Sequence, residues 1–341
     1  MKLIHFISIL SLGFLSTFSV LKVQPFNHLA LAQNLSLKNY PILDAIVPLK
    51  ELNIPAAKVT GETTINLQSL GNSRVFTIAL KVGNLSGNFL LDTGASTTMV
   101  SSAFVQQLGL IGKPIQSEEL TSAVAGDDCQ DMSANLHQLP KININQVTVN
   151  QLQALEFTNT IIPQNLSGVL GMDVLKFFDL KINPQTKQLD LSKPSVLPKE
   201  QQQDAIVLTN KLGVMLASVT VNHQTNLTFM LDTGADLIFI SQKLAQQLNL
   251  SDTEIQPIQV QGFCGLEDAG YSVLEQVKIG QFEQNNLGVV ILNSPSVLDV
   301  LEIDGIIGQN FLEFYQQYWR FSSNSNLNQG DGSLILEPYK D

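Results

Sequence analysis

Two stretches of the chain alternate apolar and polar residues, or run apolar with β-branched character, and both end on the same letters. Val75 to Val82 carries the first pattern, Gly83-Asn84 interrupts it, and Asn88 to Leu91 turns apolar again. Leu216 to Val221, Asn222-His223 and Leu227 to Leu231 repeat the plan. Period-two runs around a two-residue turn predict β-hairpins. Each is followed by an apolar strand, Thr97 to Val100 or Leu237 to Ile240. A short amphipathic helix comes next, Ser101 to Leu108 or Ser241 to Leu248, with the serine as N-cap. Further on, glycine-bearing loops read as hairpin tips, Ala123 to Cys129 with Gly126 in one half and Val260 to Gly265 with Gly262 and Phe263 in the other. Gly168-Val169-Leu170-Gly171 is then answered by Gly305-Ile306-Ile307-Gly308.

The common order at a nearly constant offset is a duplication. Leu91-Asp92-Thr93-Gly94-Ala95 and Leu231-Asp232-Thr233-Gly234-Ala235 lie 140 positions apart, and Gly171 and Gly308 lie 137 apart. Solenoid repeats run to about 20 to 50 residues, so this period marks two copies of a whole small domain. The copies are placed at 75–192 and 211–341, with a Pro- and Gln-containing linker at 193–210. Residues 33–74 carry Pro41, Pro48 and Pro55 and weak alternation, which reads as a leader or pro-segment, or as an extra strand pair on the first lobe.

Composition narrows the chemistry. A net charge of −11 without a basic patch argues against nucleic acid. Residues 1–32 have a positive start, an apolar run and Ala30-Leu31-Ala32, the order of a secretory signal peptide. The expected destination is secretion or the periplasm; a retained membrane anchor with an extracytoplasmic domain is the alternative, since the run approaches the roughly 17 to 25 residues of a span. Cys129 and Cys264 suffice for one disulfide and are too few for a zinc or iron–sulfur cage, and His137 and His223 have no partner at ligand spacing. No metal or cofactor is expected.

An Asp-Thr-Gly after an apolar strand is also ordinary turn chemistry. Two copies with matching flanks and matching downstream glycine motifs are not explained that way. Asp92-Thr93-Gly94 and Asp232-Thr233-Gly234, each paired with Val169-Leu170-Gly171 or Ile306-Ile307-Gly308, resemble the aspartic peptidase superfamily of pepsin-like and retropepsin-like enzymes. The resemblance runs from about Val75 to the Leu334–Leu336 region. It implies a mostly β fold of two homologous retropepsin-like β-barrel lobes related by a pseudo-twofold axis, with Asp92 and Asp232 meeting as the catalytic pair. It further implies that the Thr93 and Thr233 hydroxyls bond across the lobes, that Gly94 and Gly234 let backbone approach the carboxylates, and that Gly171 and Gly308 belong to ψ-shaped loops. Gly126, Gly262 and Phe263 match flap positions, and in a retropepsin-like arrangement the flap tips meet, so Cys129 and Cys264 are a candidate disulfide with free thiols as the alternative.

The implied activity is an exported endopeptidase that cuts extended polypeptide, using water activated between two carboxyls of which one is protonated. A monomer without nucleic-acid partners is expected. The competing reading is a catalytically inactive, peptide-binding or structural protein that keeps the fold. Two departures matter. Ala95 and Ala235 follow the glycines, as in retropepsin-like members, where pepsin-like enzymes carry a hydroxyl, so the carboxyl pKa is expected to be less depressed and the pH optimum mildly acidic to neutral. Met172 and Gln309 stand where retropepsins often carry Arg, which puts that ion pair in doubt.

Overall fold

The computed structural model describes residues 41–42, 47–48, 54–115, 122–123, 133–158, 162, 166–250, 255–263, 265–293, 296–321 and 331–339. Residues 1–32, Gly126, Cys129 and Cys264 lie outside them, and so do the signal, first-flap and disulfide expectations. Among the described residues no helix is long and apolar enough to cross a membrane.

The fold is mostly β, in two lobes. The first hairpin pairs Phe76–Val82 with Leu85–Leu91, and the second pairs Val214–Val221 with Gln224–Leu231. Both turn at positive φ: Gly83 at 58°, and Asn222 and His223 at 44° and 67°. That left-handed pair matches the twist of the flanking strands. Inward positions carry the apolar residues, so Ile78, Leu80, Phe89 and Leu91 in one hairpin and Val219, Val221, Phe229 and Leu231 in the other fall into one buried cluster. The predicted strands before the helices are shorter or shifted, at Met99–Val100 and Ile238–Ser241. The helices are Ser102–Leu108 and Gln242–Gln247, capped as expected: Phe104 N–H donates to Ser101 Oγ at 3.3 Å and Leu244 N–H to Ser241 Oγ at 3.1 Å.

In each lobe the short apolar-Gly strand is threaded between two others. Gly168–Leu170 runs parallel to Leu85–Leu91 and antiparallel to Met99–Val100; Gly305–Ile307 runs parallel to Gln224–Leu231 and antiparallel to Ile238–Ser241. Strands from both halves also share a sheet. Thr63–Asn66, Gln188–Ser192 and Asp179–Asn183 continue through Tyr315–Arg320 and Gly332–Pro338 to Ile206–Lys211 and the second hairpin. Trp319, within Tyr315–Arg320 of that shared sheet, is fully buried in the core. The stretch 54–74 therefore supplies strands to the body of the fold: Lys58–Thr60 pairs with Val147–Asn150 and Gln68–Ser69 with Phe76–Thr77.

Candidate active site

Threading delivers each Asp to the same place by the same bonds. Asp92 N–H donates to Leu170 O at 3.2 Å and Met172 N–H to Ala95 O at 2.8 Å; in the other lobe Asp232 N–H donates to Ile307 O at 2.9 Å and Gln309 N–H to Ala235 O at 2.8 Å. Gly171 and Gly308 sit at these crossings. A methyl group on Gly308 would come within 2.1 Å of Leu237 O, and one on Gly171 within 2.8 Å of Ala95 O, so neither position has room for a side chain.

The two Asp-Thr-Gly turns lock into each other. Thr93 Oγ1 donates to Leu231 O at 2.9 Å and accepts from Thr233 N–H at 3.0 Å; Thr233 Oγ1 donates to Leu91 O at 2.8 Å and accepts from Thr93 N–H at 3.0 Å. All four bonds are buried, which makes them costly to leave unmade. Each glycine lies against the opposite carboxyl: a methyl on Gly94 would fall 2.4 Å from Asp232 Cγ, and one on Gly234 2.6 Å from Asp92 Cγ. Asp92 Oδ1 accepts from Gly94 and Ala95 N–H at 2.7 and 2.9 Å, and Asp232 Oδ1 from Gly234 N–H at 2.7 Å.

Asp92 and Asp232 are fully buried. Burial pushes the Asp232 carboxyl above its ordinary value, opposed by a hydrogen bond with Asp92 and by the N–H groups of Gly234, Gly94 and Ala235. A hydrogen bond between two carboxyls requires a proton on one of them. Two negative charges in one dry site repel, so the pair holds that proton to higher pH than an exposed Asp does. Ala95 adds no side-chain donor, and its backbone N–H is what reaches Asp92.

Residues 78–177 and, again, 217–313 match the family model described as gag-polyprotein putative aspartyl protease, together more than half of the chain. The chain belongs to this family. Each matched segment carries one Asp-Thr-Gly and one threaded glycine strand, so the family's unit is present twice. Among solved structures, the crystal structure of a retropepsin-like aspartic protease from Rickettsia conorii is similar at 22% identity, over 39% of this chain and 87% of that one, with a TM-score of 0.28. No curated protein matches.

The surroundings of the pair break the pseudo-symmetry. Register places Thr77 opposite Leu90 and Leu216 opposite Met230, so Arg74 in one lobe corresponds to Gly213 in the other, as Asp236 does to Ser96. On one side Arg74 N–H donates to Asp236 Oδ1 at 2.8 Å, its guanidinium lies 3.7 Å from the same oxygen, and its Nε donates to Glu313 at 2.8 Å. Burial raises the Asp236 pKa, and Arg74 opposes that. On the other side Gly213 packs on Ser96, and a cavity of 640 Å³ opens, lined in part by Gly213, Ser96, Thr97, Asp173 and Lys176. Burial pushes Asp173 up to about 6, against the hydrogen bonds it accepts from the Thr98 hydroxyl and N–H at 2.6 and 2.9 Å. An arginine-centred ion pair therefore exists, supplied by Arg74 in place of the position after the later glycine. Gln309, at that position, donates instead to Thr233 O at 3.1 Å and braces the turn. No local pattern marks Arg74, which in the chain is a lone cation two residues before the first hairpin.

At the position expected for the second flap, Gly262 pairs with Gly265 where Gln256–Gly262 meets Gly265–Ile279. Phe263 at its tip is fully buried, in a cluster with Leu90, Ala95, Met99 and Leu155 of the first lobe. Phe263 of one lobe thus packs in the apolar cluster of the other. Among the described residues no group of three or more His, Cys, Asp or Glu is arranged to hold a metal ion.

Proposed function

We propose that the chain is an exported aspartic endopeptidase that hydrolyses peptide bonds in extended polypeptides through Asp92 and Asp232. The observation that carries this reading is the pair itself: two buried carboxyls on facing Asp-Thr-Gly turns, held by four cross-lobe hydrogen bonds. In such a site the ionised carboxyl takes a proton from a water as its oxygen attacks the scissile carbonyl. The protonated carboxyl donates to the carbonyl oxygen to give a diol; the carboxyl that took the water's proton passes it to the leaving nitrogen as the C–N bond breaks, and a diol hydroxyl returns its proton to the other carboxylate. Backbone bonds to the flap strand and to the Asp236 region would hold the substrate extended.

An unfolded protein substrate is expected to be cleaved, and a statine-type inhibitor, whose hydroxyl mimics the tetrahedral intermediate, is expected to suppress cleavage. With Ala95 and Ala235 giving the carboxyls no side-chain donor, the pH–rate maximum is expected in the mildly acidic to neutral range; a maximum below about 3, or cleavage indifferent to the inhibitor, refutes this reading. Export is inferred from the order of residues 1–32. N-terminal sequencing of the protein recovered outside a secreting cell should read Gln33 first, and a first residue of Met1 would indicate a retained segment.

A further inference from the structure

Pro41 and Ile42 are buried against the same two elements that flank the carboxyl pair. The Ile42 carbonyl accepts from Asp236 N–H at 3.0 Å, and the Pro41 carbonyl accepts from Gln261 N–H at 3.0 Å. Asp236 follows Asp232 by four positions, and Gln261 belongs to the strand leading into the Phe263 flap, with which Ile42 forms a parallel bridge. Five residues on, Val47–Pro48 pairs antiparallel with Ser122–Ala123, at the start of the loop that corresponds to the Cys264 hairpin. One short segment is thus bonded, at its two ends, to flap-bearing elements of both lobes.

The Asp236 and Gln261 bonds are made by backbone groups and read no side chain, as when a peptide adds a strand to a sheet edge. Side-chain selection enters at Ile42. It is 1% exposed and shares a cluster with Leu70, Val75, Leu90, Ala95, Met99 and Phe263, an apolar pocket with the flap tip as one wall. Ala95 in that pocket is the residue after Gly94, so the pocket adjoins the Asp92 turn.

We propose that Pro41–Ile42 fills in cis a polypeptide-binding slot beside the Asp pair, so that the chain blocks its own site, and that the Ile42 pocket takes a branched aliphatic side chain of an incoming polypeptide. The word substrate for that polypeptide rests on the peptidase reading above; the occupancy does not. A tethered segment competes at an effective concentration on the order of millimolar, so an external strand gains access only when the segment is displaced. An aspartate at position 42 would bury an unpaired charge in an apolar pocket, which expels the segment.

The test uses the full chain carrying Asp92→Asn, so that no probe is consumed, and a fluorescent peptide with the sequence of residues 38–49. Adding Ile42→Asp to the chain is expected to tighten peptide binding at least tenfold, measured by anisotropy, with Ile42→Ala giving a smaller gain and serving if the aspartate variant does not fold. The same peptide with aspartate in place of the isoleucine that corresponds to Ile42 is expected to bind at least tenfold more weakly. Equal binding to the two chains, or binding to neither, overturns the inference. In a chain with both Asp residues intact, Ile42→Asp should raise hydrolysis of an unfolded protein about tenfold. If the peptide binds as expected and neither chain hydrolyses anything, the peptidase reading falls and the slot stands; if hydrolysis occurs at equal rates and binding is equal, the slot falls and the peptidase reading stands.

Discussion

On the proposed peptidase function, Asp232→Asn is expected to lower peptide-bond hydrolysis by about 10⁴-fold or more, the scale seen when one member of a concerted catalytic group is removed, and at the same time to make the folded chain more stable at neutral pH. The two effects share a cause. Asp232 is buried beside Asp92, and burial raises its pKa above the ordinary 3.8. A carboxyl whose folded pKa is raised holds its proton more tightly in the folded state, so stability is lost as pH climbs from the unfolded value through the folded one. Asparagine cannot ionise and keeps an oxygen to accept the Gly234 N–H, so the variant escapes that loss. Thermal melts should show a gain in Tm over the parent that is small near pH 4 and larger at pH 7. Undiminished cleavage removes the dyad mechanism; a Tm gain equal at both pH values removes burial as the origin of the shift.

Thr93→Val and Thr233→Val are the second pair of large effects, this time on stability. Valine keeps the shape and removes the hydroxyl. In Thr93→Val the Leu231 carbonyl and the Thr233 N–H lose their partner; in Thr233→Val the Leu91 carbonyl and the Thr93 N–H do. Each orphaned buried group costs about 1–3 kcal/mol, so either change should cost about 2–6 kcal/mol, a large share of a typical total of about 5–15 kcal/mol. The two sites belong to one interlocked network, so the double variant should be less destabilised than the sum of the singles, with a coupling above about 0.5 kcal/mol from denaturant midpoints. Additive costs, or single losses under about 1 kcal/mol, would show that the cross-lobe network does not hold the turns together.

Sequence made the repeated unit legible because strand period, turn glycines and helix caps act over a few residues. The hairpins, both serine-capped helices and the threaded glycine strands therefore stand close to where the pattern places them, and the strand edges before the helices slip by a residue or two where pairing with Gly168–Leu170 and Gly305–Ile307 sets the ends. The facing of Asp92 and Asp232 was legible for a further reason: a duplicated Asp-Thr-Gly with a matching downstream glycine motif resembles the two halves of an aspartic peptidase, whose acids meet. Arg74 was not, because its bond to Asp236 spans 162 positions and its counterpart is Gly213, so comparing the copies hides it. Phe263 reads from the chain as a flap tip, but its complete burial in the other lobe's apolar pocket depends on how the lobes are set together.

The amino-acid order alone marks the repeated unit, two acids each with its threonine, its glycine and its apolar-Gly strand, because strand period and turn residues act over a few positions. Tertiary structure decided how the two sides of the pair differ. Arg74 closes one side with an ion pair, Gly213 leaves a cavity on the other, and Ile42 bridges to Gln261; each is settled by contacts between distant segments, which no local periodicity encodes.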